Sequence, residues 1–271
     1  MTTAGFDAHP HYLQRIHGSL EDDFPGHLDV CRHFLRQKSV SATGEGIRET
    51  AGILRGFIEE LGGSVEFAGD PGFPLIFGKI DAGARNTLIV YGMYDVQPAE
   101  EPNWVSPPFS ADIRPVPSLG DCVFARGAVN SKGALCGLFN TLKTMKNAGG
   151  LPLNLLFVIE GEEEIGSPHI EHFIEENKSE LKGVGAVDFD FSQDSSGKVS
   201  MHLGLKGIVY MDLVSKGSVK EEGLNDPVHG SVSAWVSSPV WRMIQALSTL
   251  TDRDENIIIP GFYDNVKGPG S

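Results

Sequence analysis

Short apolar runs that alternate with helix-period segments constrain this chain more than any other feature. Runs at Ser64 to Phe67, Leu75 to Ile80, Thr87 to Tyr91, Leu153 to Ile159 and, more weakly, Val184 to Phe191 have the length of strands. Between them the spacing predicts helices at Lys132 to Asn147, with Leu135, Leu138, Leu142 and Met145 on one face, and at Pro168 to Leu181. Two helices are predicted ahead of the first strand. One covers Gly26 to Gln37, with Leu28, Val30, Cys31 and Leu35 on a shared face; the other covers Gly46 to Leu61 and is stopped by Gly62-Gly63. Alternating strands and helices predict an α/β fold, a mostly parallel sheet with helices on both faces, because parallel neighbours need crossovers that cover the sheet.

After Ser200 the texture changes. An apolar run at Ile208 to Val214 reads as a strand, a Gly/Ser/Asp-rich stretch covers Gly217 to Ser238, and a helix is predicted from Pro239 to Leu250. One strand and one helix cannot bury their apolar faces alone, so residues 206–271 are expected to form an incomplete α+β second domain after a first domain at 1–205.

Composition narrows the classes of function. With 22 Lys and Arg against 36 Asp and Glu, the formal charge of −14 repels phosphate backbones and anionic lipid headgroups, so neither nucleic acid nor a membrane is an expected partner. No apolar run reaches the roughly 18 residues of a spanning helix, and Met1-Thr2-Thr3-Ala4-Gly5 lacks a signal-peptide pattern, which points to the cytoplasm. Cys31, Cys122 and Cys136 have no C-x-x-C spacing and read as free thiols.

In a sheet of this kind ligands bind beyond the carboxyl ends of the strands, and three such places carry acids. The first is Val90-Tyr91-Gly92-Met93-Tyr94-Asp95. The second is Ile159-Glu160-Gly161-Glu162-Glu163-Glu164-Ile165-Gly166-Ser167, and the third is Asp188-Phe189-Asp190-Phe191-Ser192-Gln193-Asp194. Crowded carboxylates are unfavourable without a cation or a shared proton, although a Glu run also suits a solvated helix start. The third stretch lacks the glycine and the closing Glu of a calcium loop, and no G-x-S-x-G or G-x-x-x-x-G-K-[ST] is present. His9, His11, His17, His27, His33, His169 and His172 read as surface or packing residues.

Taken in order, with Phe124-Ala125-Arg126-Gly127-Ala128-Val129-Asn130-Ser131-Lys132-Gly133 between the first two, these places resemble the dizinc amidohydrolases. That family includes carnosine-type dipeptidases, aminoacylases and the acetylornithine and succinyl-diaminopimelate deacylases. The likeness runs from about Leu28 to Val266. It implies a zinc-exopeptidase-like sheet domain holding two zinc ions, an inserted lid that makes a homodimer, and a small peptide or N-acyl amino acid as substrate. By the same resemblance Asp95 orients a metal-bound imidazole, Glu163 is the general base, and Glu164 and Asp194 each bind a zinc. His229, in Asp226-Pro227-Val228-His229-Gly230-Ser231, is similar to the lid histidine that stabilises an oxyanion across the dimer, although Ser233-Ala234 stand where the family has a Gly-Gly pair.

The chain departs from the family in three respects. Met93 stands at the position of the first zinc-binding histidine, and a thioether is a weak zinc ligand. Asn130 stands at the position of the aspartate that bridges both metals. The family delivers a last histidine after its lid, and this chain is expected to end within the lid. Glu164 and Asp194 alone fall short of the about three or four protein ligands of a stable zinc site, so one weak site or none is expected. The resemblance implies a metal-dependent amide hydrolase of the dipeptidase or deacylase type with an altered metal site. The alternative is a non-hydrolytic descendant, a binding or dimerisation module or an amide-forming variant, that has lost the dizinc centre.

Overall fold

The apolar runs assemble into one sheet whose two faces are covered by different helices. The structure, a computed structural model, describes residues 10–190, 192–193, 196–202, 204, 207–208, 210–216, 229–232 and 238–267. The described part opens with α1 (Pro10–Asp22), α2 (Phe24–Arg36) and α3 (Ile47–Glu60). In α3, Ile47, Thr50, Ala51, Leu54 and Ile58 are buried, the i, i+3, i+4 spacing of a single stripe. Gly62, at φ +80, takes the left-handed conformation just past its end that few other residues adopt without strain.

Then come β1 (Ser64–Ala68), β2 (Leu75–Ile80), β3 (Thr87–Met93), β4 (Asp112–Val116) and β5 (Gly120–Phe124). They are followed by α4 (Lys132–Asn147), β6 (Asn154–Glu160), α5 (Ile170–Asn177) and β7 (Gly185–Asp188). The short pair β8 (Ser192–Gln193) and β9 (Val199–Ser200) comes next. The central sheet has the order β1-β2-β6-β3-β7. β6, β3 and β7 are parallel neighbours, and β2 is antiparallel to both β1 and β6, so β2 alone runs against the rest. This is the mostly parallel α/β sheet that the alternation predicts.

Alternate strand residues serve the two faces. On one, Ile76, Ile80, Val90, Leu155, Phe157 and Ile159 pack with Phe34, Leu54, Ile58, Leu135 and Phe139 of α2, α3 and α4. Rings of Phe34, Phe57, Phe139 and Phe157 form a continuous series with centroids 5.4 to 5.6 Å apart. On the other, Leu75, Phe77 and Val158 receive Phe173 of α5, which meets Phe77 edge-on at 5.3 Å. Burial at both faces explains why β6 is apolar without a break from Leu155 to Ile159 and why Lys79 is the one charged residue of β2.

Contacts divide the chain into Met1–Leu203 and Gly204–Ser271. The second unit contains α6 (Pro239–Leu247), capped by Ser238 Oγ accepting the Trp241 N–H at 3.5 Å, and a bridge between Thr251 and Ile257. Two sequence expectations need correction here. The described residues of 208–214 form no strand; they are exposed, with Tyr210 86% and Val214 77% accessible, and none pairs with another segment. An apolar run becomes a strand only with a neighbour to complete its hydrogen bonds. The last helix stops at Leu247 instead of Leu250, and α6 has no buried residue. In the first unit, α1 and the β4–β5 hairpin were not anticipated from the sequence; Pro115 inside β4 breaks the pattern of an ordinary strand.

Among the described residues no helix is long and apolar enough to cross a membrane.

Candidate functional site

β3 and β6 are parallel and in register up to Met93 opposite Glu160, so both strands deliver their C-terminal loops to the same sheet edge. β7 lies on the other side of β3, with Tyr91 opposite Asp188. Asp95, the Glu160–Glu164 run and Asp188 to Asp190 therefore converge, as expected for the carboxyl end of a parallel sheet.

Asp95 is fully buried and holds the turn after β6 in place. Its Oδ1 accepts the Glu163 N–H at 3.2 Å and its Oδ2 accepts the Glu164 N–H at 3.0 Å. Burial pushes the Asp95 carboxyl up, and those two backbone donors pull against the shift. The chain at the end of β3 is itself fixed: Tyr94 N–H donates to Glu160 O at 2.9 Å, and Ser39 Oγ donates to Tyr94 O at 2.7 Å. Glu163 and Glu164 fall in a single 3-10 turn, Glu163–Ile165.

Glu164 is the hub of the exposed side of the site. Asn130 Nδ2 donates to its Oε1 at 3.0 Å, and Gln97 Nε2 donates to its Oε2 at 2.9 Å and to its backbone carbonyl at 3.0 Å. Asn130 is presented by the loop that leads into α4, which is anchored by Ser131 Oγ donating to Met93 O at 2.7 Å. Met93 is buried at 7% exposure.

Behind this layer the acids are crowded. Glu160 is buried; Tyr91 donates its hydroxyl to Oε1 at 2.6 Å, while the buried Oε2 makes no hydrogen bond of ordinary geometry. Burial raises the Glu160 carboxyl. Glu163, half-buried, is raised by burial first and then by the charges of Glu164, Asp95, Glu160 and Asp190. Asp188 and Asp190 are raised as well, Asp188 by burial and Asp190, Asp190 by burial and Glu164. Mutual repulsion of this kind marks either a cation site or a place where a proton is shared.

The sequence reading places Asp95, Glu163, Glu164, Asn130 and Met93 in one site, and the structure brings these residues to one sheet edge. Asp194 lies outside the described residues. His229 belongs to the second unit, where it is exposed; its Nδ1 accepts the Ser231 N–H at 3.2 Å and faces Ser231 Oγ at 3.0 Å. Sequence reasoning missed the contacts of Gln97, which stands two residues beyond Asp95 in a D-x-Q step off the strand. It also missed the pair formed by Glu162 and His169. Glu162 Oε1, almost fully buried, meets His169 Nδ1 at 2.7 Å and accepts the His169 N–H at 3.2 Å. Glu162 is thus engaged with the start of α5 and turned away from Glu164.

Among the described residues the candidate donors are few for a pair of zinc ions, and Asp194 lies outside them. Both oxygens of Glu164 are held by amide N–H groups, Met93 is buried at the end of β3, and no group of three or more His, Cys, Asp or Glu among the described residues is arranged to hold a metal. Exposed carboxylate and amide oxygens remain, the hard donors that suit Mg, Mn or Ca as well as zinc.

Comparison with known proteins shows the family and the fold. A profile of peptidase family M20/M25/M40 matches residues 89–257, more than half of the chain. The chain is 30% identical over 198 residues to the Cys-Gly metallodipeptidase DUG1 of Candida albicans, covering 71% of this chain and 39% of that protein. It is 26% identical over 200 residues to the human Beta-Ala-His dipeptidase, covering 71% and 37%. The crystal structure of Sso-CP2, an M20 family metallo-carboxypeptidase from Sulfolobus solfataricus, superposes with a TM-score of 0.72 at 32% identity over 89% of this chain and 53% of that one. The di-peptidase Dug1p of Saccharomyces cerevisiae, at 22% identity and a TM-score of 0.65, shares the fold. The chain spans about two fifths of the length of these curated relatives. It belongs to peptidase family M20/M25/M40, whose fold its sheet shares.

Proposed function

We propose that the chain is a metal-dependent amide hydrolase that acts on dipeptides or N-acyl amino acids, with an altered metal site. The observation that carries this reading is the junction of Asp95, Asn130 and the adjacent pair Glu163 and Glu164, from three separate stretches of sequence, at the end of β3 and β6. The relatives' names, a Cys-Gly metallodipeptidase and a Beta-Ala-His dipeptidase, support the substrate class. In this reading Glu163 is the general base: its raised carboxyl takes a proton from the attacking water and returns it to the leaving amine. Asp95 positions Glu163 by gripping its turn. Glu164 and Asp194 hold at most one divalent cation, weakly and through oxygen, in place of the family's two zinc ions. His229 stabilises the oxyanion, the second unit acts as lid and homodimer contact, and the protein works in the cytoplasm with neither nucleic acid nor membrane as partner.

A second reading is favoured by the Glu164 contacts. An amide network formed by Asn130, Gln97 and Glu164 is complete without a metal, which is what a non-hydrolytic descendant, binding or joining the same small ligands, would retain. Assay of the purified chain with Cys-Gly, β-Ala-His and N-acetyl amino acids, with and without added Zn or Mn, separates the two. The hydrolase reading expects slow, metal-stimulated turnover that Glu163→Gln abolishes. Absence of turnover under every condition, with ligand binding retained, establishes the second reading instead.

A further inference from the structure

Outside the acidic site, the packing of α2 against α4 brings two of the three cysteines together. The helices pair along rungs. Asn140 Nδ2 of α4 donates to His27 O of α2 at 3.2 Å. At the opposite end Lys132 Nζ sits 4.7 Å from the centre of the Phe34 ring and donates to Gln37 O at 2.5 Å. As one helix number rises from 27 to 34 the other falls from 140 to 132, so the helices are antiparallel, and one turn in from the first rung residue 31 must face residue 136. Cys31 and Cys136 occupy those positions. They share one apolar cluster, and Asn140 Nδ2 lies 3.7 Å from Cys136 Sγ.

Helix axes in contact are about 8–10 Å apart and each Cα lies about 2.3 Å off its axis, which leaves about 3.4–5.4 Å between directly facing Cα atoms. That overlaps the about 4.4–6.8 Å spanned by a disulfide. The two thiols also differ in the way a redox pair requires. Cys31 is partly exposed and Cys136 is fully buried. A hydrogen bond from the Cys136 thiol, helped by the Lys132 charge and opposed by burial, holds the Cys31 thiol below its usual range.

We propose that Cys31 and Cys136 form a hydroperoxide-sensitive pair in which Cys31 is oxidised first and Cys136 closes an intrachain disulfide between α2 and α4. In the first step Cys31 Sγ, as thiolate, attacks the terminal oxygen of the hydroperoxide. The S–O bond forms as the O–O bond breaks, sulfur gives two electrons to the peroxide, and the leaving alkoxide or hydroxide takes a proton from solvent. In the second, Cys136 Sγ attacks the sulfenic sulfur, the S–S bond forms, the S–O bond breaks, and hydroxide leaves with the Cys136 proton as water. Two thiols and one hydroperoxide thus become one disulfide, one alcohol or water, and one water. Cys136 lies one turn into α4, the helix entered through Asn130, so the bridge would fix the start of that helix against α2.

The test treats the full chain with hydrogen peroxide, denatures it in an alkylating agent and maps its peptides by mass spectrometry. The expected product is a cross-linked peptide pair containing Cys31 and Cys136, two hydrogens lighter than the thiols, with Cys122 alkylated. Cys136→Ser should stop at a sulfenic acid on Cys31 that a dimedone-type probe traps. In Cys31→Ser, loss of the free Cys136 thiol should slow by about tenfold or more, because the reactive thiolate is gone. Wild-type chain in which Cys31 and Cys136 both remain alkylatable after Cys122 has been oxidised overturns the proposal. So does a map in which Cys122 or a second chain supplies the disulfide partner. Because the wild-type map decides by itself, a variant that fails to fold does not shelter the proposal.

Discussion

Asn130 and Gln97 place amide nitrogens on the two carboxylate oxygens of Glu164, the proposed cation ligand, and Met93 is buried at the end of β3. Restoring Met93→His and Asn130→Asp together is expected to raise zinc affinity by more than the sum of the single changes in free energy, because imidazole and bridging carboxylate act on one metal pair. Calorimetry on the four proteins of the cycle checks this; strict additivity contradicts it. A second prediction concerns protons. Asp95, Glu160, Glu163, Asp188 and Asp190 all have raised carboxyls, chiefly through burial. The folded chain therefore binds their protons more tightly than the unfolded chain. Their contribution to stability is full below the ordinary carboxylate range near about pH 4 and is lost as pH rises through the folded values. Thermal melts should show a midpoint that falls as the pH is raised above the ordinary carboxylate range. Glu160→Gln, which removes a buried charge with an orphaned oxygen, should stabilise the chain above that range by about 1–3 kcal/mol and lessen the fall. A lower midpoint for this variant both within and above that range contradicts the account. Asp95, Glu163 and Glu164 were legible in the sequence because each comes just after an apolar strand. The roles of Glu162 and Gln97 were not, since only the turn after β6 decides that Glu162 swings to His169 and leaves Glu164 to the amides.

Elements explain why the acidic run begins Glu160-Gly161. A Cβ on Gly161 would collide with the Tyr94 ring and hydroxyl, and Tyr94 is fully buried with its hydroxyl bound to Pro74 O at 2.7 Å. Gly161→Ala is expected to destabilise the chain by about 1–3 kcal/mol, measurable by urea denaturation, because Tyr94 has no free space to enter. An unchanged midpoint would contradict the close packing of the two strand ends. α4 was read from the sequence with its observed limits, since its stripe is regular and Gly149-Gly150 stand just past its end. β2, β3 and β6 were legible for the same reason: apolar runs of strand length. The reversal of β2 was not, because an antiparallel strand buried on both faces has the same residues as a parallel one. The run at 208–214 has strand composition as well, yet its described residues have no partner, and composition alone does not supply one.

At the scale of the whole molecule, the sheet of the first unit is covered on both faces, whereas the large apolar side chains of the second unit are exposed among the described residues. Val240, Trp241, Ile244 and Leu247 of α6 are 44% to 66% exposed, and Ile208, Tyr210, Met211 and Val214 are more exposed still. Apolar surface of this extent favours association. Light scattering is expected to show a mass that rises with concentration and falls when Val240, Ile244 and Leu247 are replaced by polar residues; a strictly monomeric wild type contradicts this. The change of texture near Ser200 was legible as a boundary, because the apolar runs there stop alternating with helices. The uncovered α6 face at Val240, Ile244 and Leu247 was legible too, because one strand and one helix cannot bury their apolar faces alone. Membership of the M20 family and the departures at Met93 and Asn130 meet in one quantity, the metal carried per chain. Elemental analysis of the purified protein, with zinc titration in a calorimeter, measures it most directly. The account predicts no tight zinc and at most one weak divalent site; two tightly bound zinc ions per chain would contradict it.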